Sequence, residues 1–154
     1  MVNGWTGGQY SLLRACIGGA TGLYLLHAAI VGETIAGAVL HTHSVWGTLL
    51  SEKFQAQRGF RIQGYEMLKG IDGIADHRTE LHVPVVENSQ DMDALSVEIV
   101  KLLRDDPALR GFLIAGHGLY AWGDGIEQAY RHVEILEFLF QIVGRRVRLD
   151  PFEG

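Results

Sequence analysis

From residue 33 onward, the hydrophobic and polar positions along the chain alternate between two patterns. Short runs with strand-like composition predict strands, and they fall at residues 37–43, 58–63, 81–87 and 111–116. Apolar residues at helical spacing predict helices, and these fall at residues 45–53, 91–104 and 125–143, with a shorter helical turn at 65–69. Strands that alternate with helices predict an α/β or α+β domain whose helices pack against a sheet.

Helix-capping residues and a proline indicate where the predicted elements begin and where one strand is irregular. Ser44 is expected to cap the helix that follows it, and Asn88 or Ser89 the next long helix, because short polar side chains accept hydrogen bonds from first-turn amides. Pro84 cannot donate to a ladder, so it implies an edge or an irregular place in its strand. A core stripe is predicted at Ala129, Val133, Leu136, Phe140 and Val143. The side chains expected to face solvent are Ser51, Glu52, Lys53, Glu127, His132, Glu134 and Glu137.

The two ends of the chain do not follow this alternation. Residues 15–32 carry no charge, and a run of that length raises the question of a membrane span. Several glycines and His27 interrupt the run, and Arg14 is the only charge before it. We therefore expect a buried helix at about residues 23–31 and no membrane segment. Residues 144–154 are expected to form a loose tail.

Composition limits the classes of protein to which the chain can belong. The 154 residues, 17.0 kDa and 47% hydrophobic content predict one globular domain with a real core. Thirteen Lys and Arg against eighteen Asp and Glu give a formal charge of −5, which argues against a nucleic-acid partner. Cys16 is the single cysteine, so no internal disulfide is expected and a cytoplasmic location is predicted.

Histidines carry the strongest chemical signal. His41 and His43 flank Thr42, and residues two apart on a strand project from the same face. His117 follows a buried strand, and the glycines on both sides of it allow close backbone approach. Three neutral imidazoles commonly hold a catalytic zinc ion and leave one position open for substrate. A His-x-His pair alone also occurs on surfaces and in cores, so the prediction of a metal site rests on the combination of this pair with His117. His27, His77, His82 and His132 are interpreted as structural.

Glu66 and Lys69 each have two interpretations. A carboxyl group beside a metal site can act as general acid or base once its surroundings adjust its pKa. A glutamate in the first turn of a helix is also simply favoured there by the helix dipole, and spacing alone favours this second interpretation. Lys69, one turn later, could hold an anionic substrate group or face solvent.

Four blocks of the sequence carry a resemblance to a known family. They are AVLHTHSVWGTLLS, QGYEMLKGI, VPVVENSQDMDALS and GFLIAGHGLYAWGDGIEQAYRHVEILEFLF. In this order, over about residues 25–143, they resemble the class II aldolase/adducin family, and within it the dehydratases that act on 5-methylthioribulose 1-phosphate in methionine salvage. The resemblance implies a three-layer α/β/α sandwich around a largely antiparallel sheet, and a homotetramer with its sites at subunit boundaries.

The same resemblance implies roles for particular residues. It makes His41, His43 and His117 the ligands of one zinc ion per subunit, Glu66 the acid/base residue, and Lys69 a contact to the substrate phosphate. Tyr120 and Trp122 belong to the motif and are assigned packing around the site. The substrate implied is a small sugar phosphate.

The chain also departs from the family pattern. The family's leading helix, its GN[ILY]S-type turn and its SG-rich phosphate loop are not found in residues 1–24, so a truncated or re-started copy is expected. The glutamate that aldolases place ahead of the zinc histidines is also missing near Leu25-Leu26-His27. Two alternatives stay open. One is a class II sugar-phosphate aldolase or epimerase, and the other is a non-catalytic, adducin-like or inactive homologue.

Overall fold

The computed structural model describes residues 20–149, which form four helices, five strands and one short 3₁₀ helix. The helices are α1 (Ala20–Glu33), α2 (Val45–Phe54), α3 (Met92–Asp105) and α4 (Ile126–Leu149). The strands are β1 (Ala38–Thr42), β2 (Gly59–Ile62), β3 (Leu81–Val86), β4 (Gly111–Ile114) and β5 (Gly118–Gly123), and the 3₁₀ helix is Glu66–Gly70.

The strands form one five-stranded sheet in the order β1-β5-β4-β3-β2. Strands β1 and β5, β5 and β4, and β3 and β2 pair antiparallel, whereas β3 and β4 are parallel. The largely antiparallel sheet with helices on its faces confirms the expected fold class. Strands β1 and β2 lie at opposite edges, which four strand spacings of about 4.8 Å place about 19 Å apart.

Two hydrophobic cores lie on the two faces of the sheet, because side chains alternate in direction along each strand. On one face, residues of β2, β4 and β5 pack against α2, α4 and the 3₁₀ helix, with Leu113, Leu139 and Phe140 fully buried. On the other face, Phe112 and Tyr120 pack with Ile99 of α3 and with α1. These two layers of helices around one sheet make the α/β/α sandwich.

Helix α1 covers the described part of the apolar run near the start of the chain. It buries Leu26 and Ile30 but leaves Tyr24 and Val31 exposed, so the expected helix is present but only one side of it is buried. Within residues 20–149, no helix is both long and apolar enough to cross a membrane. Cys16 and the first residues of the apolar run lie outside the described residues.

Three features of the helices and strands differ from the sequence prediction: one helix cap, one additional strand and the end of α4. Asp91 caps α3, with its carboxylate accepting the Ala94 amide at 3.0 Å, whereas Ser89, two residues before Asp91, accepts the Asp91 amide. Strand β5 was not predicted, since only a three-residue turn separates it from β4 and glycines stand at both of its ends. Helix α4 runs to Leu149, so residues 144–149 are helical where a loose tail was expected. Residues 150–154 lie outside the described part.

Pro84 lies at an irregular place in β3 and not at an edge of the sheet, which confirms the second of the two expected positions. The first part of β3 pairs with β2 up to Pro84, and the ladder with β4 begins at Val85. Pro84, which has no backbone N–H, therefore lies where β3 changes its pairing partner. The missing donor has little effect on the stability of the sheet because no regular ladder is interrupted there.

Candidate metal centre

Three histidines from distant parts of the chain converge at one edge of the sheet. His41 lies on β1 opposite Tyr120 of β5. His43 follows the last residue of β1, and His117 lies in the tight turn between β4 and β5. One ligating nitrogen from each ring lies within 4.8 Å of the other two. We call these residues the histidine triad. The structure thus groups the three residues that the sequence singled out.

His41 is the most firmly held member of the triad. Its Nδ1–H donates to the Leu119 carbonyl at 2.9 Å, and its ring stacks on Tyr120 with a centroid distance of 4.2 Å. Because Nδ1 carries the proton, Nε2 keeps its lone pair, and it lies 2.8 Å from Nε2 of His43. Burial lowers the pKa of His41 to about 4. At neutral pH the ring is therefore neutral and ready to bind a cation.

The two glycines around His117 are required by the geometry. Gly116 has a positive φ of 62°, a conformation that glycine adopts without steric cost. A Cβ on Gly118 would lie 2.3 Å from the Thr42 carbonyl oxygen and 2.8 Å from Cδ2 of His43. The absence of a side chain at Gly118 therefore lets β5 approach the end of β1, and this approach brings His117 to the other two histidines.

Ser51 anchors the same turn from α2. Its hydroxyl accepts the Gly116 amide at 3.0 Å and donates to the Thr48 carbonyl at 2.7 Å. The expectation that Ser51 turns to solvent is wrong, because this side chain is fully buried between α2 and the turn. A serine among polar residues late in a helix carries no local sign of this role.

The donor set fits a zinc ion. Zn–N distances of about 2.0–2.1 Å in a tetrahedral site place the ligand nitrogens about 3.3 Å apart. The separation of 2.8 Å between His41 and His43, and the limit of 4.8 Å for the whole triad, bracket that value. Burial also lowers the pKa of His117, which favours the neutral ligand form. His43 is exposed, so the centre is open to solvent on one side.

Glu66 and Lys69 lie elsewhere. Glu66 begins the 3₁₀ helix that follows β2, at the sheet edge opposite β1, and its side chain is 69% exposed. It pairs with Lys69 at 2.5 Å and with Nδ1 of His77 at 3.1 Å. The hydrogen bond from Lys69 lowers the pKa of Glu66. Within residues 20–149, no hydrogen bond, ion pair or ring contact joins Glu66 to the histidine triad.

Two residues expected on the outer face of α4 are buried instead. Glu137 is 7% exposed and accepts a hydrogen bond from the Thr42 hydroxyl at 3.1 Å. The helical spacing contained a signal for this position, because Glu137 comes four residues after Val133 and three before Phe140, both in the core stripe. Burial raises the pKa of this carboxyl group.

His132 is the second correction on α4. The side chain is fully buried, with Nδ1–H donating to the Trp122 carbonyl at 2.7 Å and Nε2 accepting the Asp72 amide at 3.1 Å. These two bonds connect β5 to the loop after the 3₁₀ helix. Burial lowers the pKa of His132, as the neutral ring requires. Its interpretation as structural agrees with these contacts, whereas its expected exposure was wrong.

Comparison with known proteins decides the family. The sequence pattern of the Class II Aldolase and Adducin N-terminal domain matches residues 20–143, which is most of the chain. The chain belongs to this family. Among curated class II aldolase relatives, methylthioribulose-1-phosphate dehydratase of Yersinia enterocolitica is 42% identical over 130 residues, which is 84% of this chain and 60% of that protein. The Xanthomonas euvesicatoria protein of the same name is 47% identical over 103 residues, or 67% of this chain and 47% of its own length.

Solved structures of the family share the fold. The L-fuculose-1-phosphate aldolase of Thermus thermophilus superposes with a TM-score of 0.59 at 22% identity, over 84% of this chain and 63% of that one. An aldolase II superfamily protein of Pseudomonas syringae superposes with a TM-score of 0.54 at 19% identity, over 86% and 56%. The chain spans about half to three fifths of the length of the curated relatives it matches.

Proposed function

We propose that this class II aldolase family member is a zinc-dependent dehydratase that converts 5-methylthioribulose 1-phosphate to 2,3-diketo-5-methylthiopentyl 1-phosphate. The observation that carries the proposal is the convergence of His41, His43 and His117 on one point, in a chain 42–47% identical to proteins named for this dehydration. The proposal includes one zinc ion per subunit, a homotetramer and a cytoplasmic location.

The histidine triad would hold the ion and leave its remaining position for substrate. When bound, zinc would act as a Lewis acid that polarises the substrate oxygens and stabilises negative charge. The exposed side of the site near His43 would give substrate access to that position. The chain's own contribution at this point is to bring three imidazole rings together with one ligating nitrogen of each converging.

Glu66 is proposed as the group that transfers the proton: its carboxylate takes the proton from the carbon beside the ketone and then gives it to the departing hydroxyl, which leaves as water. In the free chain Glu66 is an ion-paired carboxylate, because the hydrogen bond from Lys69 lowers its pKa. Lys69 is proposed to contact the substrate phosphate. When Lys69 turns to the phosphate, Glu66 loses its main partner, and its pKa returns toward the ordinary value of a carboxyl group.

Glu66 would reach the reacting atoms in an assembly. It is exposed and follows the edge strand opposite the one that carries His41. The proposed tetramer has its sites at subunit boundaries, where the exposed Glu66 of one subunit can meet the histidine triad of the next. A complete site would then consist of residues from two copies of the chain.

The test measures diketone release from 5-methylthioribulose 1-phosphate by the zinc-loaded protein, with fuculose 1-phosphate and ribulose phosphate assayed beside it. Diketone release from 5-methylthioribulose 1-phosphate is expected, with no cleavage of the other two sugar phosphates. Cleavage of either other sugar phosphate would favour an aldolase, and zinc-loaded protein without turnover would contradict catalysis by this chain. A folded protein that binds no zinc would favour the non-catalytic, adducin-like alternative.

A mixing experiment tests the shared site. His41→Ala and Glu66→Gln variants are each expected to be inactive when pure. If sites form between subunits, refolding the two variants together restores part of the activity, because some boundaries then combine an intact triad with an intact Glu66. Mixtures as inactive as the separate variants would contradict a site shared between subunits.

A further inference from the structure

His43 is held differently from the other two members of the triad. The ladder between β1 and β5 ends at Thr42, which pairs with Leu119. His41 lies inside this ladder, and the turn of His117 is tied to the sheet by its own amide, which donates to Ile114 at 3.0 Å. His43 lies beyond the last ladder pair, between Thr42 and the N-cap residue Ser44. Its backbone therefore needs another support if the ring is to stay in place.

That support comes from the opposite side of the strand. Along β1 the side chains alternate, so His41 faces the layer of α1 and α3 while Thr42 faces α4. The Thr42 hydroxyl donates to Oε1 of Glu137 at 3.1 Å. The Ser44 hydroxyl lies near the same carboxyl group and lowers its pKa. One buried carboxyl group thus binds the residue before His43 and lies beside the side chain of the residue after it.

The Ser44 hydroxyl has a second function that strengthens this arrangement. Its oxygen accepts the Gly47 amide at 2.9 Å and so caps α2, while its proton is available to Glu137. A hydroxyl has one donor and two acceptor positions, so both bonds can form together. The start of α2, the end of β1 and the middle of α4 therefore meet at one side chain.

We propose that Glu137 is a positioning residue for the metal centre, which fixes the backbone of His43 through its hydrogen bond to the preceding Thr42. The inference rests on the proposed metal site and goes beyond it, since Glu137 touches none of the three ligands. A rigid His43 keeps its ring directed at the other two imidazoles. Without Glu137 the segment between β1 and α2 moves, and the third ligand is held less well.

The test compares Glu137→Ala, Glu137→Gln and the control Glu134→Ala, which removes an exposed carboxylate from the same helix. Zinc affinity is measured by competition with a chromophoric chelator, and the geometry is read from the visible spectrum of bound Co²⁺. Glu137→Ala is expected to weaken zinc binding about ten- to a hundredfold, the usual range for residues that orient metal ligands, and to shift the Co²⁺ bands. Glu137→Gln keeps an oxygen acceptor and is expected to stay near the parent, as is Glu134→Ala.

The outcomes separate this inference from the metal site itself. A folded Glu137→Ala protein with the parent's zinc affinity and Co²⁺ spectrum overturns the role of Glu137 alone. A parent that binds no zinc overturns both proposals. If Glu137→Ala does not fold, Thr42→Val and Thr42→Ser replace it, because only the serine keeps the hydroxyl. Equal zinc affinity in these two variants would overturn the inference, and weaker binding in the valine variant alone would support it.

Discussion

The histidine triad and the segment around Glu66 were both assigned to one site by the family resemblance, yet their structures differ sharply. The triad lies on a strand end and a tight turn, where β1 pairs with β5 and where Ser51 of α2 and Glu137 of α4 form hydrogen bonds with Gly116 and Thr42, which adjoin the triad. Glu66 lies at the surface, and its partners Lys69 and His77 are close in sequence. We call Glu66, Lys69 and His77 the Glu66 cluster.

This difference indicates which part of a site a single chain can form by itself. Metal ligands must meet within a few ångströms, so the fold supplies their geometry before any ligand binds. A proton-transfer group needs only to reach the substrate, and it can come from an exposed position or from another copy of the chain. Variants of the triad should therefore affect metal binding, and variants of the Glu66 cluster should affect turnover without affecting metal binding.

The largest effect is expected for Gly118→Ala. The added Cβ would lie 2.3 Å from the Thr42 carbonyl oxygen, which forces β1 and β5 apart beside the triad. We expect a loss of about 3 kcal/mol in the free energy of unfolding and a zinc affinity at least about a hundredfold lower. Urea denaturation and chelator competition measure the two quantities.

Two other glycines serve as controls for that variant. The Cβ of Gly116→Ala would make an ordinary van der Waals contact with Oε1 of Glu52 at 3.6 Å, but the residue has a left-handed φ of 62°, so a smaller loss of roughly 1–2 kcal/mol is expected. Gly32→Ala in α1 meets nothing within 4 Å and should not destabilise the protein. If Gly118→Ala bound zinc as well as Gly32→Ala does, the close approach of β5 to β1 would not be what assembles the triad.

Glu66→Gln is expected to have the next largest effect, confined to turnover. The amide keeps the size and polarity of the side chain but removes the titratable carboxyl group, so the rate should fall about a hundredfold or more. Zinc content and melting temperature should stay near the parent, since the side chain is exposed and outside the triad. Glu87→Gln, another exposed glutamate, is the control. Loss of zinc in Glu66→Gln would instead make Glu66 a ligand, and unchanged turnover would make it a surface residue.

The smallest effect concerns His132, which joins β5 to the loop after the 3₁₀ helix through Trp122 and Asp72. Burial lowers its pKa below the ordinary value of 6.5 in the folded state. The unfolded chain therefore binds a proton that the folded chain does not. The stability that neutral His132 contributes is complete above about pH 6.5 and is lost as the pH falls toward the folded-state pKa.

Urea unfolding of metal-free protein between pH 8 and pH 5 tests this linkage. The stability of the parent should fall with acidification, and His132→Gln should show a slope smaller by up to about 1.4 kcal/mol per pH unit. His41, His82 and His117 also have lowered pKa values and act in the same direction, but they are present in both proteins. Identical slopes would mean that protonation of His132 does not weaken the contact between β5 and the loop after the 3₁₀ helix.

Much of the architecture was predictable because it depends on local periodicity. Within residues 20–149, the pattern of apolar residues located each of the four helices and four of the five strands, and Ser44 was correctly expected to cap α2. The histidine triad was also predictable, because the alternation of a strand places His41 and His43 on one face. Strand β5 was missed since its glycines resemble a loop, although those glycines are what its close packing requires.

The contacts that depend on distant elements could not be predicted from local patterns. Ser51, His132 and Glu137 are polar residues on helices, and a polar residue on a helix is usually exposed. Each is buried because a polar group from another element meets it: the Gly116 amide, the Trp122 carbonyl and the Thr42 hydroxyl. Strand order and the separation of Glu66 from the triad depend on tertiary structure in the same way. The assembly that would bring them together stays a prediction.

The stacking of Tyr120 on His41 has a further thermodynamic consequence. With its ring against Tyr120 and its Nδ1–H on the Leu119 carbonyl, His41 has already lost its rotational freedom in the folded chain. Ordering a side chain on binding costs about 0.5–1.5 kcal/mol. For His41 this entropy is lost during folding, so an arriving ion meets one ligand that needs no further ordering. The entropic cost of ordering a ligand when the metal binds, which grows with temperature, should accordingly be smaller for His41 than for the exposed His43.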